Sequence, residues 1–261
     1  MLRLSYMQTF IALVSRDMNS IMKQLPGRMI DGTVIVFMQT LAIGQFLPLL
    51  GMPSSLIAPL FIGTMTQIIF SAAFAVSFRY ANDLNANRFI NYQITLPLPK
   101  TWLFAQIIFS FMIEIAFISL PLIFLGSIFL GSSFPLNNAS WIATFGVYIA
   151  SVIFYALLFI FLAFNSPYTW FLDNVWARRL SPLFLLGCAY FTWKKLYAFN
   201  AVIALFLLVN PLTYIHEGLR AALLGSEDFL SVKICLPMII IFCIILVVLL
   251  ANALSKRLDP V

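Results

Sequence analysis

Charged side chains are so sparse along this chain that the gaps between them serve as a ruler. Residues 32–78, 115–172 and 234–255 contain no Asp, Glu, Lys or Arg. A membrane-crossing helix needs about 20 mostly apolar residues. The first run holds two such helices, divided by the turn-forming Pro48, Gly51, Pro53 and Ser54. The second supplies most of one and all of another, divided by Gly131, Ser132, Ser133, Pro135, Asn137 and Asn138. The spacing predicts spans over 31–50, 56–78, 101–128, 139–164, 180–209 and 233–254. The fifth is interrupted by Lys194 and Lys195 and ends at Asn210–Pro211. It reads as a broken or re-entrant helix followed by a short helix around 212–224 at the outer surface.

Residues 1–30 follow a different pattern. Val14, Met18, Ile21, Met22 and Leu25 share one helical face, with Arg16, Ser20 and Lys23 on another. That is the signature of an amphipathic helix lying along the cytoplasmic interface. Pro26 and Gly27 are expected to end it and turn the chain into the first span. No small-residue cleavage site follows residues 1–16, so the start reads as retained. The fold class is an all-α membrane protein: an interfacial helix over 1–30, then one six-span transmembrane domain over 31–261.

Composition agrees. The chain of 261 residues is 62% hydrophobic and 9% charged, against about 25% charged in soluble domains, with mean hydropathy +1.02. The net charge of +6 is a topology signal here, not a nucleic-acid footprint, because the basic residues stand at the ends of apolar runs. Arg3, Arg16, Lys23, Arg28, Arg79, Arg88, Lys100, Arg178, Arg179, Lys256 and Arg257 fall on one side of six crossings. Lys194, Lys195, Arg220 and Lys233 fall on the other, offset by Glu217, Glu227 and Asp228. The bias predicts both termini in the cytoplasm.

Chemistry is thin. A P-loop must end Gly-Lys-Ser/Thr, and no lysine here follows a glycine, so nucleotide is not held that way. His216 is the only histidine, without partners for zinc or a proton relay. Cys188, Cys235 and Cys243 read as small buried residues. Glu114, inside the third span, has three readings: a proton or cation site, part of a substrate path, or a structural partner to Lys100 or a polar neighbour. The polar loop 79–100, with Asn82, Asp83, Asn85, Asn87, Arg88, Asn91 and Gln93 and the ending Thr95-Leu96-Pro97-Leu98-Pro99, is a solvated connector or a docking element. In the segment 210–220, Asn210–Pro211 breaks the preceding apolar helix. Glu217 and Arg220 then stand i,i+3 for an ion pair, and Gly218 and Ala222 form a small-xxx-small pair for close packing.

The run Asn210-Pro211-Leu212-Thr213-Tyr214, followed by Glu217-Gly218-Leu219-Arg220, resembles the membrane subunits of ABC transporters of the type-2 export class. Arg16-Asp17 in the amphipathic start is similar to that family's interfacial helix, Thr95-Leu96-Pro97-Leu98 to the end of its first cytoplasmic loop, and Ser181-Pro182-Leu183-Phe184 to the opening of its fifth span. The Gly-Thr expected in the first loop is absent. The resemblance implies an exporter subunit, not an enzyme, that pairs with a second permease copy as a homodimer. It would bind no cofactor itself: ATP and Mg would sit on two copies of a separate cytoplasmic ATP-binding subunit. It places coupling to that subunit at Arg16, Asp17, Asp83, Asn87, Arg88 and Pro97, and the translocation or re-entrant region at Glu114, Asn210, Pro211, Tyr214, Glu217 and Arg220. The Phe- and Met-rich spans suit an amphiphile: a lipid-like molecule, a drug or a lipid-linked glycan. The alternative is a secondary transporter or channel using Glu114 for ion coupling.

Overall fold

The computed structural model describes residues 2–82, 95, 98–131, 134, 139–166 and 174–258, and these contain helices, turns and no strand. The first helix, α1 (Leu2–Thr40), continues through a π-helical stretch, Leu41–Phe46, and a last turn, Leu47–Leu49. After the turn at Gly51 (φ +88°) come α2 (Ile57–Asn82), α3 (Lys100–Leu130) and α4 (Trp141–Asn165). A short helical stretch, Trp176–Leu180 with Ser181–Leu185, leads to α5 (Trp193–Phe199), α6 (Ala201–Leu207), α7 (Pro211–Leu224) and α8 (Val232–Leu258).

Five helical segments are long and apolar enough to cross a membrane: Tyr6–Leu49, Ile57–Asn82, Thr101–Leu130, Trp141–Asn165 and Val232–Ala253. The pair α6–α7, bent by 98°, makes a sixth only if counted as one broken span. The protein is therefore a multi-pass membrane protein. Ile240, Ile241, Ile244, Val247 and Val248 of α8 are all exposed, an apolar strip that only lipid or another apolar surface would cover. The apolar window is 67% buried in α2 and 78% in α4, against 22% in both α1 and α8, so α2 and α4 form the interior. Phe70 of α2 anchors it, with its ring 5.2 Å from Phe159, 5.4 Å from Phe184, 5.7 Å from Tyr155 and 6.1 Å from Trp176.

Three boundaries differ from the sequence reading. The break at Pro26–Gly27 does not occur, because Pro26 lies inside α1. A proline inside a helix forfeits one hydrogen bond and costs about 3 kcal/mol, but packing along α3 outweighs it. Phe10 meets Trp102 at 5.7 Å, Asp17 reaches Gln106, Arg28 reaches Glu114, and Phe37 meets Phe129 at 5.7 Å. The contacts advance together, so α1 and α3 run parallel. At 1.5 Å per residue α1 is about 58 Å long, roughly twice the hydrocarbon thickness, so its charged first part extends beyond the apolar layer or inclines steeply. Second, the fifth span, read over 180–209 as broken or re-entrant, has different bounds: helix stops at Leu185, resumes as the two short helices α5 and α6, and the bent pair that could form one broken span is α6–α7. Third, α7 does not lie on a surface, since every residue from Leu212 to Leu223 is buried.

Candidate functional site

The segment 210–220 folds into a lock. Asn210 caps α7: its Oδ1 accepts the Leu212 N–H at 3.0 Å while its Nδ2 donates to the Leu183 carbonyl at 2.6 Å. Pro211 follows at the first helical position, where its missing N–H costs nothing. The Thr213 hydroxyl donates to the Leu207 carbonyl and the Tyr214 hydroxyl to that of Leu208, both at 2.8 Å. The second bond occupies a carbonyl at the end of α6, and the first joins the Asn210 N–H on the Leu207 carbonyl.

One turn on stands the centre of the lock, Arg220, which is fully buried. Its Nε donates to the Pro59 carbonyl at 2.9 Å. Its Nη1 donates to those of Cys188 (2.6 Å) and Phe191 (2.9 Å) and to Glu217 Oε1 (3.1 Å), and its Nη2 to Ala189 (2.6 Å). Glu217, equally buried, accepts the Trp193 N–H on Oε1 and the Leu230 N–H on Oε2, both at 3.2 Å. His216 Nδ1 lies 2.7 Å from the carbonyls of both Gly187 and Leu212, so this nitrogen carries the proton, and its Nε2 is buried without a partner. Hydrocarbon offers no partner to a carbonyl, so non-helical backbone survives at membrane depth only where protein satisfies it. Residues 186–192, between two helical pieces, are non-helical backbone, and the Glu217–Arg220 pair satisfies much of it. Cys188 sits there at φ +61°, a left-handed conformation that a non-glycine residue holds only when its surroundings enforce it.

Glycines set the clearances. A Cβ on Gly63 would lie 1.8 Å from the Ala189 carbonyl oxygen and 2.7 Å from Arg220 Nη2. One on Gly218 would lie 3.0 Å from Cys235 Cβ, the close packing expected of the Gly218–Ala222 pair. Gly63→Ala is expected to cost at least about 3 kcal/mol by overpacking against backbone. Gly126→Ala should cost less, because its nearest obstacles are the ends of the Phe61 and Met65 side chains, which can rotate away. Melting of the two purified variants checks the order. Asn210→Ala should lower stability by about 1–2 kcal/mol, the loss of a cap and one further hydrogen bond, readable in the same melts.

The second constellation lies between α1, α2 and α3. Glu114 is 1% exposed and holds two arginines: Arg28 Nη1 donates to Oε1, and Arg79 Nη2 donates to Oε2 at 2.5 Å. Arg28 also donates to Gln24 at 2.9 Å, and the Arg79 guanidinium lies over the Tyr80 ring at 5.1 Å. Glu114 is thus paired with Arg28 and Arg79, not with Lys100, the partner the sequence suggested for it. Further along α3, Gln106 donates to Asp17 Oδ2 (2.6 Å) and to Ser110 (3.0 Å), while Arg16 holds Asp17 Oδ1 at 2.7 Å. Gln106, Ser110 and Glu114 are thus one polar stripe, and their i, i+4, i+8 spacing was visible in the sequence.

Of the expected coupling residues, Arg16 and Asp17 are joined to this stripe, whereas Asp83, Asn87, Arg88 and Pro97 lie outside the described residues. Of the expected translocation residues, Asn210, Pro211, Tyr214, Glu217 and Arg220 come together in the lock, and Glu114 stands apart in the three-helix clamp. Neither constellation pairs a nucleophile with a base. Compared with protein-family models, curated proteins and solved structures, the chain matches none.

Proposed function

We propose that this chain is the membrane subunit of an ATP-driven exporter of the type-2 ABC class, lying in the inner membrane with both termini in the cytoplasm. It works as a pair of copies on two separate ATP-binding subunits, which carry the ATP and Mg, and moves an amphiphile. The observation that carries the reading is the broken element: of the positions that resemble the family, Asn210 ties the bend to Leu183 and Arg220 holds the interrupted backbone at 188–191.

The clamp gives the proposal a mechanical route. Asn82 ends α2 and Lys100 opens α3, so these are the two roots of the loop expected to touch the ATP-binding subunit. Arg79, within the last turn of α2, and Glu114 of α3 meet Arg28 of α1. Displacement of the loop roots is passed to α1 through charge-assisted bonds instead of soft apolar contacts. Ion coupling at Glu114 is the weaker alternative, because both carboxylate oxygens already face guanidinium groups.

Asp83→Ala combined with Arg88→Ala tests the reading. In the reconstituted complex, ATP hydrolysis should continue while transport falls, with the protein still folded. Unchanged coupling removes the loop from the mechanism.

A further inference from the structure

Between α1 and α2, roofed by Ile118 of α3, lies a cavity of about 520 Å³. That is within the range of small-molecule sites, about 300–1,000 Å³. Its apolar wall includes Ile35 and Ile68, and its polar groups fall at two levels. Asp31 stands at one end, exposed and without a hydrogen bond or ion pair to any described residue. Gln39, two helical turns on, lines the other end, about 12 Å away along α1, and its Oε1 is buried with no partner.

The full charge on the cavity wall that lacks a counter-ion among the described residues is Asp31. Arg28, at the Asp31 end, spends its guanidinium on Glu114 and Gln24. Gln67 Oε1 already accepts the Tyr190 hydroxyl at 3.0 Å. Asp31 and Gln39 Oε1 are thus open acceptors, one of them an anion beside an apolar wall, among neutral groups such as the Ser71 hydroxyl that can donate as well as accept. A carboxylate at the edge of an apolar wall favours a cation over an anion, and a buried amide oxygen needs an N–H or O–H donor.

We infer that this cavity binds an amphiphilic organic amine, its ammonium on Asp31, its apolar body between α1 and α2, and a second donor directed toward Gln39. The site is a property of this chain alone and does not depend on the export reading, so its test contains no ATPase.

The probe is dansylcadaverine, which carries a primary ammonium on an alkyl arm, a sulfonamide N–H and a ring whose fluorescence rises in apolar surroundings. The full chain is placed in phosphatidylcholine nanodiscs, and empty discs give the partition background. Saturable binding above that background is expected, with no competition from N-dansyl aminocaproate, which keeps the ring and arm and replaces the ammonium by a carboxylate. Asp31→Asn should weaken binding by about tenfold or more. Ala75→Phe, at an exposed position lining the same cavity, should abolish it with Asp31 intact. No saturable signal above empty discs, equal competition by the carboxylate analogue, or full binding in the folded Ala75→Phe variant would each overturn the inference.

Discussion

Arg220→Met should open the region around Cys188. The substitution keeps a long side chain but strands three non-helical carbonyls, those of Cys188, Ala189 and Phe191, together with Glu217, and takes a second donor from the helical Pro59 carbonyl. Removing one partner of a buried charged pair costs about 3–5 kcal/mol, a large share of the stability of most folded proteins. Cys188 is free and buried, so maleimide labelling of this cysteine reports the opening directly, with buried Cys235 on α8 as the internal control. The labelling rate at Cys188 should rise steeply in Arg220→Met and stay near zero in the wild type. Arg220→Lys should fail as well, since one ammonium cannot reproduce a planar fork of five donors. Adding Glu217→Met should not rescue the single variant. In an ordinary ion pair, removing both charges relieves the penalty, but here the carbonyls of Cys188, Ala189 and Phe191 stay unmet. Rescue by the double variant would reduce the lock to a simple salt bridge.

Glu114 carries the second large expectation, and its order is diagnostic. Glu114→Ala leaves Arg28 and Arg79 without their acceptor, but their side chains are 30% and 32% exposed and can turn toward water or headgroups. The cost should be about 2 kcal/mol, discounted for that exposure. Arg28→Ala with Arg79→Ala leaves a carboxylate that is 1% exposed with no cation, and should cost clearly more. Melting temperatures of the two purified variants decide the matter. If the arginine double variant is the more stable, Glu114 is not held as a charged partner.

Much of the architecture was legible because lipid makes charge placement nearly digital. The uncharged runs located α2, α3, α4 and α8 to within a few residues, and Asn210–Pro211 located the bend before α7. Pro26–Gly27 misled because local helix-breaking tendency was weighed without knowing that α1 has α3 to lean on along its length. Only a tertiary contact settles such a contest. The i,i+3 relation of Glu217 and Arg220 announced their ion pair, but not the four carbonyls that Arg220 also collects, since those come from 59 and from 188–191, distant in sequence. Gly63 was likewise illegible: nothing around it in the sequence says that a backbone carbonyl passes where its side chain would be. Arg28 and Arg79 look like sidedness signals in the sequence, and only the i, i+4, i+8 polar stripe Gln106, Ser110 and Glu114 on α3 hints at a buried partner for them.

The most direct test of the exporter account is to express the chain with a candidate ABC ATP-binding subunit from the same genome, purify in nanodiscs, and measure the mass of the assembly and its ATPase rate. The account predicts a stable complex of two permease copies and two ATP-binding subunits that hydrolyses ATP. Purification of the chain alone, with no ATP-binding partner retained and no hydrolysis, would contradict it.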